Sequence, residues 1–387
     1  MAELPFTVRT LSTDEFDALL GVTDAAFLVD RRPEADQRRR GLFEPERTHG
    51  AFEDGELIGT AAVTTRGMTL PGVGPRPVAA VTGVAVAPGH RRRGVLTALM
   101  RAQLRTLHET GAEPVAALWA SEGAIYGRFG YGLAAQHARL AAPAREAFRP
   151  DVVVGADRVR ELPRDDALPL LAKVYEQAAA QRVGWLTRTP AAWARQLADD
   201  EYLRNGYTGY RFAVHPEGYA VYRAKQGWGD RGPEGELQVR EVAATSPVGY
   251  AALWRYLLDV DLVTEVRWAV AATDEPLVHL LANPTAATMR VSDALWVRLV
   301  DLPRALALRR YAAPVDVVFA VTDPFCPWNT GRWRLAVDRD GHGSVHRTDR
   351  APHLALDVTD LGAAYLGGTR LTTLAAAGRV DERVPGA

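Results

Sequence analysis

Apolar and polar positions repeat with two different periods along this chain of 387 residues, and the switches between them mark out its elements. Phe6–Arg9 reads as a short opening strand. Ser12 and Glu15 form a Ser-x-x-Glu capping box, in which each side chain satisfies an otherwise orphan amide. Phe16, Leu19, Leu20, Thr23 and Phe27 follow at helical spacing and predict a buried stripe. The polar, arginine-rich stretch 31–49 has no sustained period and reads as a loop or a short helix. Asp54-Gly55, suited to the positive φ angles of a tight hairpin, separates extended runs at Ala51–Glu53 and Glu56–Thr64. After a Pro/Gly loop at 71–77, the apolar run from Val78 to Ala87 has the pattern of a strand buried on both faces. Leu96, Leu99, Met100, Leu104 and Leu107 predict an amphipathic helix closed by Gly111, and Val115–Trp119 a further strand.

From about 150 to 297 the alternation partly recurs. A helix is predicted near 165–182, and Thr189-Pro190 supplies an N-cap with proline at the first helical position. Phe212–His215 and Gly218–Arg223 read as a hairpin. Strands at Leu237–Ala243 and 265–272 then alternate with helices at 247–258 and 275–282. Beyond 298, short strands are predicted around 315–322, 333–338 and 343–347, followed by helices near 359–366 and 370–377. No low-complexity stretch or short-period repeat interrupts this order.

Composition narrows the class without naming a reaction. The 46 Lys+Arg balance 47 Asp+Glu to a formal charge of −1, which lacks the basic excess of a nucleic-acid or polybasic membrane-binding surface. Only Lys173 and Lys225 are lysines, a bias read as codon usage. One cysteine, Cys326, removes a disulfide framework or a cysteine-based zinc site, and no metal ligand set is read from the sequence. Glu3 and Pro5 stand where a signal peptide needs basic and apolar residues. No run of 18 apolar residues predicts a membrane span. These features read as a folded, cytoplasmic, multidomain protein.

The segment Val84-Ala85-Val86-Ala87-Pro88-Gly89-His90-Arg91-Arg92-Arg93-Gly94-Val95-Leu96-Thr97 carries the first chemistry. A buried strand runs into a basic turn that opens an amphipathic helix. Free backbone amides and the helix dipole converge there, as an anion such as a diphosphate requires. Gly94 removes a β-carbon where a pyrophosphate would approach, and Arg91–Arg93 offer forked donors. Neither the P-loop nor the dinucleotide-binding fingerprint is present. The same arginines would also suit a solvated turn that caps a helix; the flanking strand and helix favour the anion site. His90 fits either a phosphate contact or an exposed loop position.

A second segment, Trp119-Ala120-Ser121-Glu122-Gly123-Ala124-Ile125-Tyr126-Gly127-Arg128-Phe129-Gly130-Tyr131, decides between them. Together with Arg-x-x-Gly-x-Leu at 91–96 it resembles the GNAT acetyltransferase superfamily, and more narrowly the Eis (enhanced intracellular survival) N-acetyltransferases. The broader pattern extends through Leu361–Gly368 and Leu374–Val380. At Leu96 the superfamily usually has Gly or Ala; leucine fits the narrower family.

The resemblance implies an α/β (α+β) architecture of three parts. These are an N-terminal GNAT domain at 1–147, a degenerate central GNAT-like domain at 148–297 and a C-terminal sterol-carrier-like domain at 298–387. It also implies a homohexamer. The degeneracy has independent support, because Gly249 is the only glycine from 236 to 297 and no arginine-glycine turn occurs there. Carried over by position, contacts to the donor acetyl-CoA fall on Val84, Ala85 and Val86, on Arg92, Arg93, Gly94, Val95, Leu96 and Thr97, and on Ser121 and Glu122. Tyr126 corresponds to the family's general acid; a phenol stays protonated at neutral pH and can donate to a leaving thiolate. Its alternative role is a core aromatic.

In the family the C-terminal carboxylate serves as proton acceptor, following a longer tail. Only Asp381–Ala387 follow Val380 here, so either a tail has been trimmed or another base serves, and Ala387 is not assigned that role. The implied acceptor is a small polyamine-type molecule such as an aminoglycoside, with Asp24, Asp30, Glu34 and Asp36 as acidic candidates among interleaved arginines. A protein or peptide lysine and a non-catalytic acetyl-CoA- or lipid-binding module are the alternatives. Cys326, flanked by Pro324 and Pro327, reads as structural, and the pair His342 and His346 lacks visible further ligands.

Overall fold

The computed structural model describes residues 5–230 and 232–386; Glu3 and Ala387, which enter the sequence reading, lie outside them. Two compact units form. One comprises Met1–Ala135, Val183–Gln196 and Ala294–Ala387, and the other Gln136–Arg182 and Leu197–Asp293.

The first unit opens with β1 (Thr7–Thr10), α1 (Phe16–Phe27), α2 (Pro33–Arg40), β2 (Thr48–Glu53), β3 (Glu56–Leu70), β4 (Gly74–Val86), α3 (Val95–Thr110) and β5 (Val115–Trp119). Strands β1 to β4 are antiparallel in sequence order, and β5 joins β4 in parallel. The hairpin between β2 and β3 turns at Asp54 and Gly55, with φ of 50° and 85°, the positive values its tight turn requires. Helix α3 buries Val95, Leu99, Met100, Leu104 and Leu107 and ends at Gly111 in the left-handed region, φ 65°. The polar stretch after α1, open between loop and helix in the sequence, forms α2 with Pro33 in its first turn.

Residues Leu295–Leu299 of a long strand, Thr288–Leu299, run antiparallel to β5. The chain then builds a five-stranded sheet in the order Gly343–Arg347, Gly331–Val337, Val315–Thr322, Leu354–Asp357, Val380–Glu382. Its apolar face shares one core with the N-terminal sheet: Phe319, Trp333 and Leu356 cluster with Met68, Val78, Val115 and Val297. Helix Val358–Ala364, capped by Asp357 through the amide of Thr359 (2.9 Å), lies directly on the N-terminal part. A β-carbon on Gly132 would fall 2.0 Å from the Thr359 carbonyl oxygen and 2.2 Å from the Ala363 amide nitrogen. One on Gly362 would fall 2.5 Å from the Val297 oxygen. Only backbone fits on either side.

The second unit carries a mixed sheet. Strands Arg160–Leu162, Arg211–His215, Gly218–Lys225, Gly235–Ala244 and Val263–Ala272 are followed in that order by the later part of Gly132–Pro143. Trp254 and Trp268 pack in its core with Leu253 and Val239. Its strand-to-helix turn differs from the one after β4. Ser246 accepts a hydrogen bond from the Gly249 amide (3.1 Å), and Pro247 occupies the first turn of helix Pro247–Leu258. The helix is capped by its own chain, as the missing arginine-glycine turn implied. The helix predicted at 275–282 is confined to Leu277–Leu280, and Trp228, outside this core, is 69% exposed. Among the described residues, no helix is long and apolar enough to cross a membrane.

Candidate active site

The site is built where β4 and β5 part. Ala79 and Ala80 pair with Ala116 and Ala117; beyond them β4 continues to Val86 with β3 as its one strand neighbour among the described residues, through Thr60↔Ala85 and Gly59↔Val86. A β-bulge accompanies the divergence. Ala62 pairs with Thr82 and Thr60 with Ala85, so three residue steps on β4 oppose two on β3. Gly83 takes φ +55° there, and its carbonyl accepts a hydrogen bond from Thr60 Oγ1 at 2.7 Å. Bulges bend and twist a strand. The result is a wedge in which, among the described residues, the outward amides and carbonyls of Val84–Val86 have no strand partner on the β5 side.

At the mouth of the wedge the turn reaches α3 through Arg92 (φ 62°) and Gly94 (φ 84°). Among the described residues, no side chain caps this helix. Ala98 is the first residue to close an intrahelical bond, to the Gly94 oxygen (3.0 Å), which leaves the amides of Val95, Leu96 and Thr97 as free donors at the positive end of the helix dipole. A β-carbon at Gly94 would meet nothing within 4 Å. The glycine is required by its φ angle, and the space before the helix is open to a ligand.

The three arginines have different duties, which the sequence did not separate. Arg93 makes two hydrogen bonds to Glu53, one at 2.9 Å, and holds that carboxyl below its ordinary pKa. His90 Nε2 lies 3.2 Å from the same carboxylate, and Arg91 donates to the Ala26 carbonyl at 3.3 Å. Arg92 is exposed and has no side-chain partner among the described residues. The side chain of Arg92 and the backbone amides of 95–97 are therefore the groups left for an anion.

Beyond β5, Ser121 and Glu122 are exposed, and two 3-10 turns, Gly123–Ile125 and Gly127–Phe129, flank Tyr126. The Tyr126 carbonyl accepts from the amides of Phe129 (3.0 Å) and Tyr131 (3.3 Å), with Gly130 at φ +82° closing the turn. The half-buried phenol meets Tyr131 edge-on, ring centroids 5.8 Å apart. Burial, with a smaller contribution from Glu122, raises its pKa above the ordinary tyrosine value, so it remains a proton donor through the physiological range.

Of the four acidic candidates, Asp24 and Asp36 are neutralised by arginines rather than gathered into one acidic pocket. Asp24 pairs with Arg39 (2.6 Å), and Asp36 with Arg31 (2.9 Å) and Arg39 (3.6 Å); Asp30 and Glu34 are exposed. Cys326 is 1% exposed, its thiol pushed up by burial. His342 lies with Asp338 and Asp340 on an exposed turn, where the Asp338 carboxylate accepts from the amides of Asp340 and His342 (both 2.9 Å). Sequence reasoning missed Glu53, Gly83 and Arg298. A visible signal existed for Arg298, the single charge in the apolar run Ala294–Val300.

A splayed strand pair, an uncapped helix at its mouth and a protonated phenol on the segment that leaves β5 fit a GNAT N-acetyltransferase, and acetyl-CoA is the acetyl donor that this fold implies. The acetyltransferase (GNAT) domain family matches residues 7–134 and 184–299, and the sterol carrier protein domain family matches 302–387. An N-acetyltransferase of Streptomyces avermitilis is 41% identical, covering 98% of this chain and 94% of that protein. The N-acetyltransferase Eis of Mycobacterium tuberculosis is 35% identical over 86% of this chain and 81% of its own. The crystal structure of Eis1 from Mycobacterium abscessus superposes with a TM-score of 0.85 at 36% identity, covering 98% of this chain and 94% of that one. The chain belongs to the Eis family of N-acetyltransferases.

Proposed function

We propose that this N-acetyltransferase moves the acetyl group of acetyl-CoA to a primary amine of a small polyamine-type acceptor, such as an aminoglycoside, within a ternary complex. The observation that carries this reading is the wedge between β4 and β5, with free amides at its mouth and Tyr126 on the segment leaving β5. Val84, Ala85 and Val86 offer backbone groups to the amide-bearing arm of the donor and to its thioester carbonyl, where a backbone amide would stabilise the developing oxyanion. The amides of Val95, Leu96 and Thr97, with Arg92, Arg93 and Gly94 forming the turn, receive the pyrophosphate. Ser121 and Glu122 border the entrance.

The unprotonated acceptor nitrogen attacks the thioester carbon, the carbon–sulfur bond breaks, the departing thiolate takes its proton from the Tyr126 hydroxyl, and the proton shed by the nitrogen passes through water back to the Tyr126 oxygen, which restores the phenol. Tyr126→Phe is expected to lower kcat by about 10²–10⁴-fold, the usual contribution of a positioned general acid, with the KM for acetyl-CoA within about twofold. A near-normal kcat refutes the assignment.

The pairing of Asp24 and Asp36 with Arg31 and Arg39 favours acceptors that need no dense acidic pocket, a lysine side chain of a protein or peptide included. Thiol release measured with aminoglycosides, polyamines and lysine peptides decides between these acceptors. The proposal keeps the division 1–147, 148–297 and 298–387, supported by domain-family matches that end within a few residues of the second boundary. A homohexameric assembly, which the family resemblance implies, and the cytoplasmic location read from the composition complete it.

A further inference from the structure

The support beneath Tyr126 comes from a distant part of the chain. Arg298, on the strand beside β5, and Asp323, at the end of strand Val315–Thr322, are both fully buried; Arg298 Nη2 lies 2.9 and 2.7 Å from the two carboxylate oxygens. Asp323 also accepts from the Cys326 amide (2.9 Å) and from Asn329 Nδ2 (2.9 Å). Asn329 in turn accepts from the Leu302 amide (2.9 Å), and Trp328 Nε1 donates to the Val300 carbonyl (2.8 Å). The loop 323–329 is thereby clamped at both ends onto the strand that carries Arg298.

What this loop presents is aimed at the catalytic turn. Phe325 meets Phe129 edge-on with ring centroids 5.0 Å apart, and Arg101 of α3 lies over the other ring of that pair, Phe325, at 5.0 Å. The guanidinium of Arg298 lies directly beneath Gly130, where a β-carbon would fall 2.3 Å from Nη1. Among the described residues its Nε and Nη1 make no hydrogen bond and the Cys326 thiol is a further titratable neighbour, so the two-oxygen contact from Asp323 fixes the orientation of a buried cation. The Phe129-Gly130-Tyr131 turn therefore rests on groups supplied from beyond residue 297. Because the Tyr126 carbonyl is bonded to the amides of both Phe129 and Tyr131, any displacement of that turn moves Tyr126.

We propose that Arg298, Asp323 and Phe325 are positioning residues for Tyr126, so that the C-terminal domain takes part in acetyl transfer by holding the proton donor in place. This rests on Tyr126 being the proton donor. A group that acts only through another loses its effect when the other is removed, whereas general loosening of the fold multiplies every defect.

The test is a cycle of Asp323→Asn, Phe325→Leu and Tyr126→Phe in the full-length enzyme, reading kcat, the KM for acetyl-CoA and the melting temperature. Each positioning variant alone is expected to lower kcat at least tenfold with KM within twofold. In the Tyr126→Phe background each should add less than a further twofold loss. Asp323→Asn leaves a buried cation without its counter-charge; if it does not fold, Phe325→Leu, which keeps the ion pair and most of the volume, carries the test alone. A folded Phe325→Leu with kcat within twofold of the parent overturns the proposal, as does a fully multiplicative loss in the Tyr126→Phe background. If Tyr126→Phe itself turns over normally, the proton-donor reading fails and this one falls with it; a slow Tyr126→Phe beside fast loop variants sinks this proposal alone.

Discussion

Gly132→Ala tests whether the sterol-carrier-like part is docked backbone to backbone. The new methyl carbon would sit 2.0 Å from the Thr359 oxygen and 2.2 Å from the Ala363 nitrogen. A carbon contacts a carbonyl oxygen at about 3.3 Å or more, so helix Val358–Ala364 must retreat by roughly 1.3 Å. Both obstructing atoms are backbone, so no side-chain rotation relieves them. That helix buries Val358, Leu361 and Ala363 in the shared core, and with rigid backbone as the obstruction the forced repacking costs about 3 kcal/mol, the upper end for overpacking. The alanine gains only about 0.4–1 kcal/mol by restricting the unfolded chain. At about 2–4 °C per kcal/mol for a unit of this size, the melting temperature should fall by roughly 4–10 °C. Gly89→Ala is the control, since a β-carbon there meets nothing within 4 Å and its φ is not positive; it should melt within about 2 °C of the parent. Differential scanning calorimetry of the two variants decides, and a Gly132→Ala protein that melts with the parent refutes the close approach.

Two further outcomes are expected. Arg92→Ala should raise the KM for acetyl-CoA about tenfold, the worth of a charged hydrogen bond, while Arg93→Ala, whose side chain serves Glu53, should change it less than threefold; steady-state titration at low salt checks the order. Glu275 is 3% exposed, and burial raises its carboxyl to about 7 from 4.5. The folded chain then keeps a proton that the unfolded chain has released. Stability is therefore lost as pH rises from about 4.5 through 7, by roughly 3 kcal/mol in all. Glu275→Gln should melt above the parent at pH 8 and nearly with it at pH 5; equal differences at both values would count against the burial argument.

Local chemistry was legible in the sequence wherever the cause lay within a few residues. The hairpin at Asp54-Gly55, the cap at Gly111 and the passage from β4 through the basic turn into α3 all follow from neighbouring side chains. The two longest omissions were strands Gly132–Pro143 and Thr288–Leu299. The first is rich in alanine, which favours helix; the second carries Arg290, Asp293 and Arg298 and lacks a clean alternation. Tertiary pairing makes both extended. Likewise Arg93 looked available to phosphate because Glu53 stands 40 positions away, and only the fold brings the pair together. The site's backbone groups were readable as a motif, whereas the division of labour among its arginines was set by distant partners.

The first unit is assembled from three separated stretches of chain, and this sets an order in time. During synthesis Tyr126 leaves the ribosome about 230 residues before Gly362. At about 5–20 residues per second, this is an interval of roughly 10–50 s. For most of it the nascent chain holds the sequence of the cradle without Asp323 and Phe325, and to its end without the complete helix Val358–Ala364 that packs on Gly132. The shared core around Met68, Val78 and Val115 has to wait equally long for Phe319 and Leu356. A chain interrupted before that point would expose this apolar surface, making premature termination a source of aggregation rather than of a smaller working enzyme.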